Sequence, residues 1–110
     1  MIATTICNKT ELSEKDKCSI QSYLTKGYKF YLYIYHYIEN LDFTGEFYVF
    51  SANKIIPFEK YSGKRDFKEQ LQNIHKDYTF VDLIHDAEGR KLNEDIMKTI
   101  QKNKKIWIIF

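Results

Sequence analysis

The stretch YKFYLYIYHYIEN, residues 28–40, alternates two kinds of side chain with a period of two and therefore predicts a long β-strand. One face of this strand carries apolar side chains: Phe30, Leu32, Ile34 and Ile38. The opposite face carries four tyrosines: Tyr31, Tyr33, Tyr35 and Tyr37. A sheet that packs against helices on one side needs only one apolar face. The tyrosines therefore form either a second packed layer or an exposed binding surface.

A turn and a second strand follow this segment. Residues 40–46, NLDFTGE, contain the Asn, Asp and Gly of a turn, and residues 47–51, FYVFS, have the composition of a strand. We expect the two strands to pair as an antiparallel hairpin. Residues 54–58, KIIPF, either extend the second strand or pair back as the third strand of a meander, with Pro57 at a strand end or a sheet edge.

Three segments begin with residues that cap helices. Ser13, followed three residues later by an aspartate, begins a helix over residues 13–26, which a glycine ends. Asp66 begins a second helix over residues 66–76, and Asn93 begins a third. The sequence therefore predicts about three helices.

Two further segments predict internal strands covered by helices: residues 78–85 (YTFVDLIH) are apolar on both faces, and residues 106–110 (IWIIF) are an uninterrupted apolar run. A weaker strand pattern occupies residues 2–7. The second and third helices each link successive strands and should form right-handed crossovers, which makes the C-terminal strands parallel. We predict one compact domain over residues 1–110, an α/β (α+β) sandwich of two or three layers. Its mixed β-sheet has a central antiparallel hairpin or meander, C-terminal βαβαβ-like crossovers and about three helices.

The composition agrees with one intracellular domain. The 110 residues are 44% hydrophobic, which is enough for a single core without metals or disulfides, and we predict no cofactor. Cys7 and Cys18 have neither the spacing of metal ligands nor the number of a disulfide framework, so we expect free thiols in a reducing cytoplasm. The chain has no secretory leader pattern and no run of about 18 apolar residues, which favours a soluble cytoplasmic protein without a membrane span.

The loop YSGKRD, residues 61–66, places a glycine and two cations directly before the second helix. Backbone amides, the helix dipole and the two side chains at this point would suit a phosphate or another anion. The candidate anion-binding residues are Gly63, Lys64 and Arg65. Alternatively, the glycine only shapes the loop and both cations are solvated.

No catalytic residue and no metal site are predicted. The three histidines, His36, His75 and His85, lack the spacing of metal ligands. Ser51 and Ser62 lie in no nucleophile elbow, and neither cysteine has a Cys–His pattern around it. The sequence therefore favours a binding protein over an enzyme.

The order helix, three strands, helix, strand, helix, strand resembles that of acetyltransferases of the GNAT type. The resemblance implies an acyl-carrier pyrophosphate at the loop before the second helix, where that family has a Gly-rich Q/R-x-x-G-x-G/A signature. Residues 60–66 of this chain contain one glycine, Gly63. A small acyltransferase or phosphate-ligand enzyme is the alternative function that this resemblance supports.

The tyrosine face and the acidic residues near it favour a protein partner. Tyrosine buries a large area at a low cost in rotamer entropy and keeps a hydroxyl for hydrogen bonding. The candidate partner-binding residues are Tyr31, Tyr33, Tyr35, Tyr37, Glu39, Asp42 and Glu46. We predict a small inhibitor of the immunity-protein, antitoxin or phage type, which occludes a partner such as a toxin or a nuclease. A homodimer formed through the same face is an alternative.

Single-stranded nucleic acid is the other candidate partner, because unpaired bases stack on aromatic sheet faces. A base-stacking sheet normally lies in a basic groove. The charged residues around the predicted hairpin are net acidic: Lys29, Glu39, Asp42 and Glu46. Over the whole chain, 17 basic residues against 15 acidic ones give no basic footprint. A protein partner therefore fits the charge pattern better than a nucleic acid.

Overall fold

The computed structural model describes residues 1–83 and 106–110. These residues contain five β-strands: β1 (Ile2–Cys7), β2 (Lys29–Ile34), β3 (Phe47–Ser51), β4 (Thr79–Asp82) and β5 (Ile106–Ile109). They also contain two α-helices: α1 (Glu14–Thr25) and α2 (Lys64–Ile74). Two short 3₁₀ helices, Ala52–Lys54 and Phe58–Lys60, follow β3. The strands form one sheet in the order β3-β2-β1-β5-β4.

Helix α1 confirms the predicted capping box. The Ser13 hydroxyl accepts a hydrogen bond from the backbone N–H of Asp16 at 3.1 Å, and the Asp16 carboxylate accepts one from the backbone N–H of Ser13 at 3.3 Å. Gly27 follows the helix with φ +91°, a conformation that glycine adopts without steric cost. Helix α2 begins at Lys64 rather than at Asp66.

Helices cover both faces of the sheet, because its central strands carry apolar side chains on both sides. On one face, Ile20 and Leu24 of α1 pack against the even-numbered side chains of β2. On the other face, Phe67 and Leu71 of α2 pack against Tyr33 and against side chains of β1 and β5. We call these the α1 face and the α2 face. The described residues therefore form a three-layer α/β/α sandwich.

Every neighbouring pair of strands in the sheet is parallel, so the predicted antiparallel hairpin and the mixed sheet are wrong. Strands β2 and β3 run in the same direction, with Phe30 opposite Phe47. The connection between them, residues 35–46, crosses the α1 face, where Ile38 is buried and Leu41 packs against the core. A parallel pair needs such a crossover because the chain leaves β2 at one end of the sheet and must return to the opposite end, where β2 began, before β3 can start. The Asn, Asp and Gly of this segment belong to the crossover and not to a hairpin turn.

The predicted meander is also wrong. Residues 54–58 form no strand, since Ile55 ends one 3₁₀ helix and Pro57 precedes the next. The three-strand unit that carried the resemblance to acetyltransferases is therefore not formed. The described residues contain two α-helices rather than about three, and the helix predicted to begin at Asn93 falls in residues 84–105, outside the described part of the chain. Neither α1 nor α2 combines the length and the apolar character that crossing a lipid bilayer requires.

Candidate functional site

The four tyrosines that follow Phe30 have different environments. Tyr33 is 6% exposed and packs its ring against Phe67 of α2, with the ring centroids 5.2 Å apart. Tyr31 and Tyr35 are partly buried, and Tyr37 is 80% exposed in the crossover after β2. Because α2 covers Tyr33 and because Tyr37 lies beyond the end of β2, the four side chains do not form one exposed surface.

Tyr31 and Tyr35 hold the elements on the β3 side of the sheet together. The ring of Tyr31 makes edge contacts with Tyr48 and Phe50 of β3, at centroid separations of 5.6 and 5.0 Å. The Tyr35 hydroxyl donates a hydrogen bond to the carbonyl oxygen of Ile56 at 2.7 Å. These contacts fix β3 and the segment after it against β2.

Burial raises the pKa of two of these tyrosines, Tyr33 and Tyr35, further above neutrality. It raises the pKa of Tyr33 to about 12, and the neighbouring phenol of Tyr31 adds to the shift. It also raises the pKa of Tyr35, with Tyr61 as the second cause. Tyr33 and Tyr35 are therefore neutral packing and hydrogen-bonding groups near pH 7, where a general acid or base would need a pKa close to neutrality.

Strand β3 lies at the edge of the sheet and has β2 as its single neighbour among the described residues. Three consecutive large side chains of this strand are exposed: Tyr48 at 45%, Val49 at 42% and Phe50 at 39%. Proteins usually protect a sheet edge with charged residues, proline or a bulge. The strand sequence, FYVFS, contains neither a charged residue nor a proline. We refer to the outer backbone of β3 together with Tyr48, Val49 and Phe50 as the β3 edge surface.

The hydrogen bonds between β2 and β3 determine which backbone groups face outward. The N–H of Phe30 donates to the carbonyl oxygen of Glu46 at 2.9 Å, and Phe30 lies opposite Phe47 in the parallel register. In a parallel ladder, residues whose N–H and C=O both face the neighbouring strand alternate with residues whose groups both face away. The backbone groups of Tyr48 therefore face β2, whereas those of Val49 face outward and can pair with another strand.

The structure separates the residues that the sequence predicts to bind a partner. Tyr31 and Glu46 lie beside the β3 edge surface, and Glu46 precedes β3 at the amino ends of the strands. Tyr37 and Glu39 line a shallow pocket with residues of the β1–α1 loop and of α1, at the carboxyl ends of the strands. Asp42 is exposed in the crossover between β2 and β3. These residues therefore do not share one surface.

The three predicted anion-binding residues also differ in their surroundings. Gly63 is the N-cap of α2 and has φ +150°. Lys64 is partly buried, and its ammonium donates hydrogen bonds to the hydroxyl oxygen of Thr5 and the carbonyl oxygen of Phe110, both at 3.2 Å. Arg65 is exposed. Lys64 thus reaches the carboxyl ends of β1 and β5, which Arg65 does not contact.

Two of the three histidines take part in ring packing. His36 makes an edge contact with Phe58, and His75 stacks on Trp107 with the centroids 5.1 Å apart. His85 lies outside the described residues. Within residues 1–83 and 106–110, no group of three His, Cys, Asp or Glu side chains is placed to hold a metal ion.

No protein-family model matches the chain, and neither does any curated protein or solved structure. Two features of the geometry were missed by sequence reasoning. The first is the β3 edge surface, which the predicted meander would have covered with residues 54–58. The absence of charged residues from FYVFS is a sequence signal that could have indicated this exposed apolar edge. The contact between Lys64 and Thr5 joins residues far apart in the chain and has no local signal.

Proposed function

We propose that the protein binds a partner protein through the β3 edge surface, by accepting an extended segment of the partner as an additional strand. The observation that carries this proposal is the outer edge of β3, which no strand of the described residues covers and where outward backbone groups lie beside three exposed large side chains. A strand is the occupant that such an edge selects, because an extended backbone satisfies a row of N–H and C=O groups.

Side chains on both faces of β3 would add apolar contacts to the backbone pairing. Tyr48 and Phe50 lie on the α2 face beside Tyr31, and Val49 lies on the α1 face. Because Tyr31 already supports both rings, they lose little rotamer freedom when a partner binds. Aromatic side chains of this kind are the usual anchors of protein interfaces. We therefore expect Tyr48 and Phe50 to contribute most of the side-chain affinity.

The charges near the β3 edge surface favour a protein over a nucleic acid. Glu46 is exposed directly before β3, Asp42 is exposed in the preceding crossover, and Lys54 is exposed after β3. Proteins that bind nucleic acids gain most of their affinity from basic side chains that contact phosphates. These surroundings are not basic, so the aromatic side chains of β3 suit a polypeptide better than stacked bases.

A small inhibitor of the immunity-protein, antitoxin or phage type is the class of binding protein that we propose. Such a protein covers a site of its partner sterically and performs no chemistry of its own. Steric occlusion needs a firmly held surface, and the contacts of Tyr31 and Tyr35 with β3 and the segment after it supply that support.

A display library of random linear peptides tests the proposal with a defined probe. Peptides selected on the protein would be synthesised and their dissociation constants measured by calorimetry. We expect alternating apolar sequences that protect the Val49 amide from hydrogen exchange when they bind. Val49→Pro should abolish this binding, because proline removes the outward N–H and leaves the bonds of Tyr48 and Phe50 to β2 in place.

Tyr37→Ser is the matched control, since Tyr37 is exposed but lies away from β3. It should bind the selected peptides as the wild type does, whereas Tyr48→Ser should weaken binding about tenfold or more. Peptides that bind the Val49→Pro protein as tightly as the wild type would overturn the proposal. So would a dimer that Val49→Pro converts to a monomer in sedimentation, because a second copy of the chain would then occupy the edge.

A further inference from the structure

A crevice lies at the carboxyl ends of β1 and β5. The chain leaves β1 through α1 toward β2 on one side, whereas β5 is the neighbour of β1 on the other side. Helices α1 and α2 cover opposite faces of the sheet, and the strand order reverses between β1 and β5. In open α/β sheets, ligands bind outside the carboxyl ends of the strands at such a reversal.

The crevice is small and has a polar lining. Its volume is about 210 Å³, below the roughly 300–1,000 Å³ typical of sites for drug-sized ligands. The polar side chains that line it come from β1, from the segment after β1, and from both helices: Thr5, Cys7, Lys9, Asp16 and Lys64. Its dimensions suit a ligand of a few carbon atoms with one charged group.

Lys64 has one hydrogen-bond donor to spare in this crevice. Its Nζ donates to the hydroxyl oxygen of Thr5 and to the carbonyl oxygen of Phe110, both at 3.2 Å. The Thr5 hydroxyl itself donates to the same carbonyl oxygen at 2.6 Å. A lysine ammonium has three N–H donors, and two of them have acceptors among the described residues. The third remains for a ligand.

No Asp or Glu side chain within residues 1–83 and 106–110 forms an ion pair with Lys64. Asp16 lines the same crevice, but its carboxylate accepts a hydrogen bond from the backbone N–H of Ser13 in the capping box. Burial lowers the pKa of Lys64 although Asp16 opposes the shift, because the ammonium lies where water solvates it poorly. Lys9 adds a second cation, so two lysines face one carboxylate in the lining.

We infer that this crevice binds a small molecule through an anionic oxygen group, carried by either a phosphate ester or a carboxylic acid, with Lys64 as the contact and with Thr5 holding the Lys64 ammonium in place. The anion takes the third N–H of Lys64. The apolar part of the ligand lies against apolar residues of the same lining, such as Ile6 and Leu12. The crevice lies away from the β3 edge surface, so ligand binding here does not depend on partner binding there.

Titration of the full chain with four defined probes, followed by amide resonances in NMR, tests this inference. The probes are inorganic phosphate, glycerol 3-phosphate, lactate and, as the uncharged reference, glycerol. We expect saturable shifts of the Thr5, Cys7 and Lys9 amides with the anions and none with glycerol. The probe with the lower dissociation constant, glycerol 3-phosphate or lactate, shows whether the site prefers a phosphate ester or a carboxylate. The absence of saturable shifts with every anion up to about 10 mM would overturn the inference.

Two variants with a matched control locate the bound anion. Lys64→Met should weaken binding about tenfold or more, while Arg65→Gln, which changes the neighbouring exposed cation, should retain the wild-type affinity. Equal losses in both variants would indicate unspecific attraction to the start of α2 and would overturn the site. If Lys64→Met does not fold, Thr5→Val replaces it, and unchanged affinity in that variant contradicts the inference.

Discussion

The ring of Tyr33 packs on the ring of Phe67, with the centroids 5.2 Å apart, and this makes a tyrosine of β2 part of the core under α2. Tyr33→Ala should lower the free energy of unfolding by about 3–5 kcal/mol, the usual cost of removing a buried aromatic ring. Tyr37→Ala, at an exposed position, should change it by less than about 0.5 kcal/mol. Urea unfolding followed by the emission of Trp107, the only tryptophan, measures both. Similar effects of the two substitutions would place Tyr33 outside the core.

Alkaline pH should destabilise the protein through phenols whose pKa is raised by burial, with the largest shifts at Tyr23 and Tyr33. Burial raises the pKa of Tyr23 and of Tyr33 to about 12, whereas tyrosine in an unfolded chain titrates near pH 10. Between these values the folded state retains protons that the unfolded state releases. The stabilisation is therefore complete below about pH 10 and is lost as the pH rises toward 12.

Tyr33→Phe isolates one of these two contributions. The variant should show a smaller fall in the free energy of unfolding between about pH 10 and 12, because the phenylalanine ring does not titrate. Tyr37→Phe, which changes an exposed phenol, should leave the fall unchanged. Urea unfolding at several pH values in this range measures how steeply the free energy of unfolding falls with pH. An equal fall in the wild type and in Tyr33→Phe would contradict the burial of the Tyr33 hydroxyl.

A new side chain would meet different surroundings at Gly45 and at Gly27. Their φ angles are +129° and +91°. A Cβ on Gly45 would lie 3.1 Å from the Cβ of Leu24, whereas a Cβ on Gly27 would meet no atom within 4 Å. Gly27→Ala should lower the free energy of unfolding by about 1 kcal/mol, because alanine is strained at a positive φ. Gly45→Ala should lower the free energy of unfolding by more, because φ +129° lies farther from the left-handed region that alanine can adopt and because Leu24 must also move within the core. Thermal unfolding of the two variants measures the difference, and equal costs would argue against the close approach.

The capping box of α1 can be tested with two serines of similar exposure. Ser13→Ala removes the side chain that accepts from the Asp16 N–H and should cost about 1 kcal/mol. Ser22→Ala lies inside the helix at an exposed position and should be neutral or slightly stabilising, since alanine has the higher helix propensity. Denaturation followed by circular dichroism compares the two. Equal free energies of unfolding for the two variants would show that the capping box does not stabilise the helix.

Local sequence patterns, such as helix caps and runs of apolar residues, located most of the described helices and strands. Ser13 and its aspartate partner marked the start of α1, and the apolar residues 78–85 and 106–110 contain β4 and β5. The start of α2 was placed too late, because Asp66 lies inside the first turn and accepts a hydrogen bond from the Ser62 hydroxyl. Caps and side-chain periodicity depend on local contacts, which is why pattern alone locates them closely.

The candidate site could be foreseen only in part. Lys64 was recognisable as a cation at the start of a helix, but its bonds to Thr5 and Phe110 depend on α2 meeting the ends of β1 and β5. The β3 edge surface depends on which strand occupies the margin of the sheet. Strand order is a property of the whole chain, and no short segment carries it.

Residue pattern alone located the core of α1, α2 and the five described strands, because a period of two or of 3.6 assigns side chains to a face of their own element. It placed the ends less well: the strand predicted over residues 28–40 ends at Ile34. The direction in which β2 and β3 pair was set by the assembled fold, where Ile38 is buried on the α1 face and the chain returns to start a parallel strand. The same assembly divided the tyrosines, since α2 covers Tyr33 and leaves Tyr37 exposed. The alternation of side chains along a strand shows which residues share a face of the sheet. Whether a helix covers that face depends on residues distant in the chain.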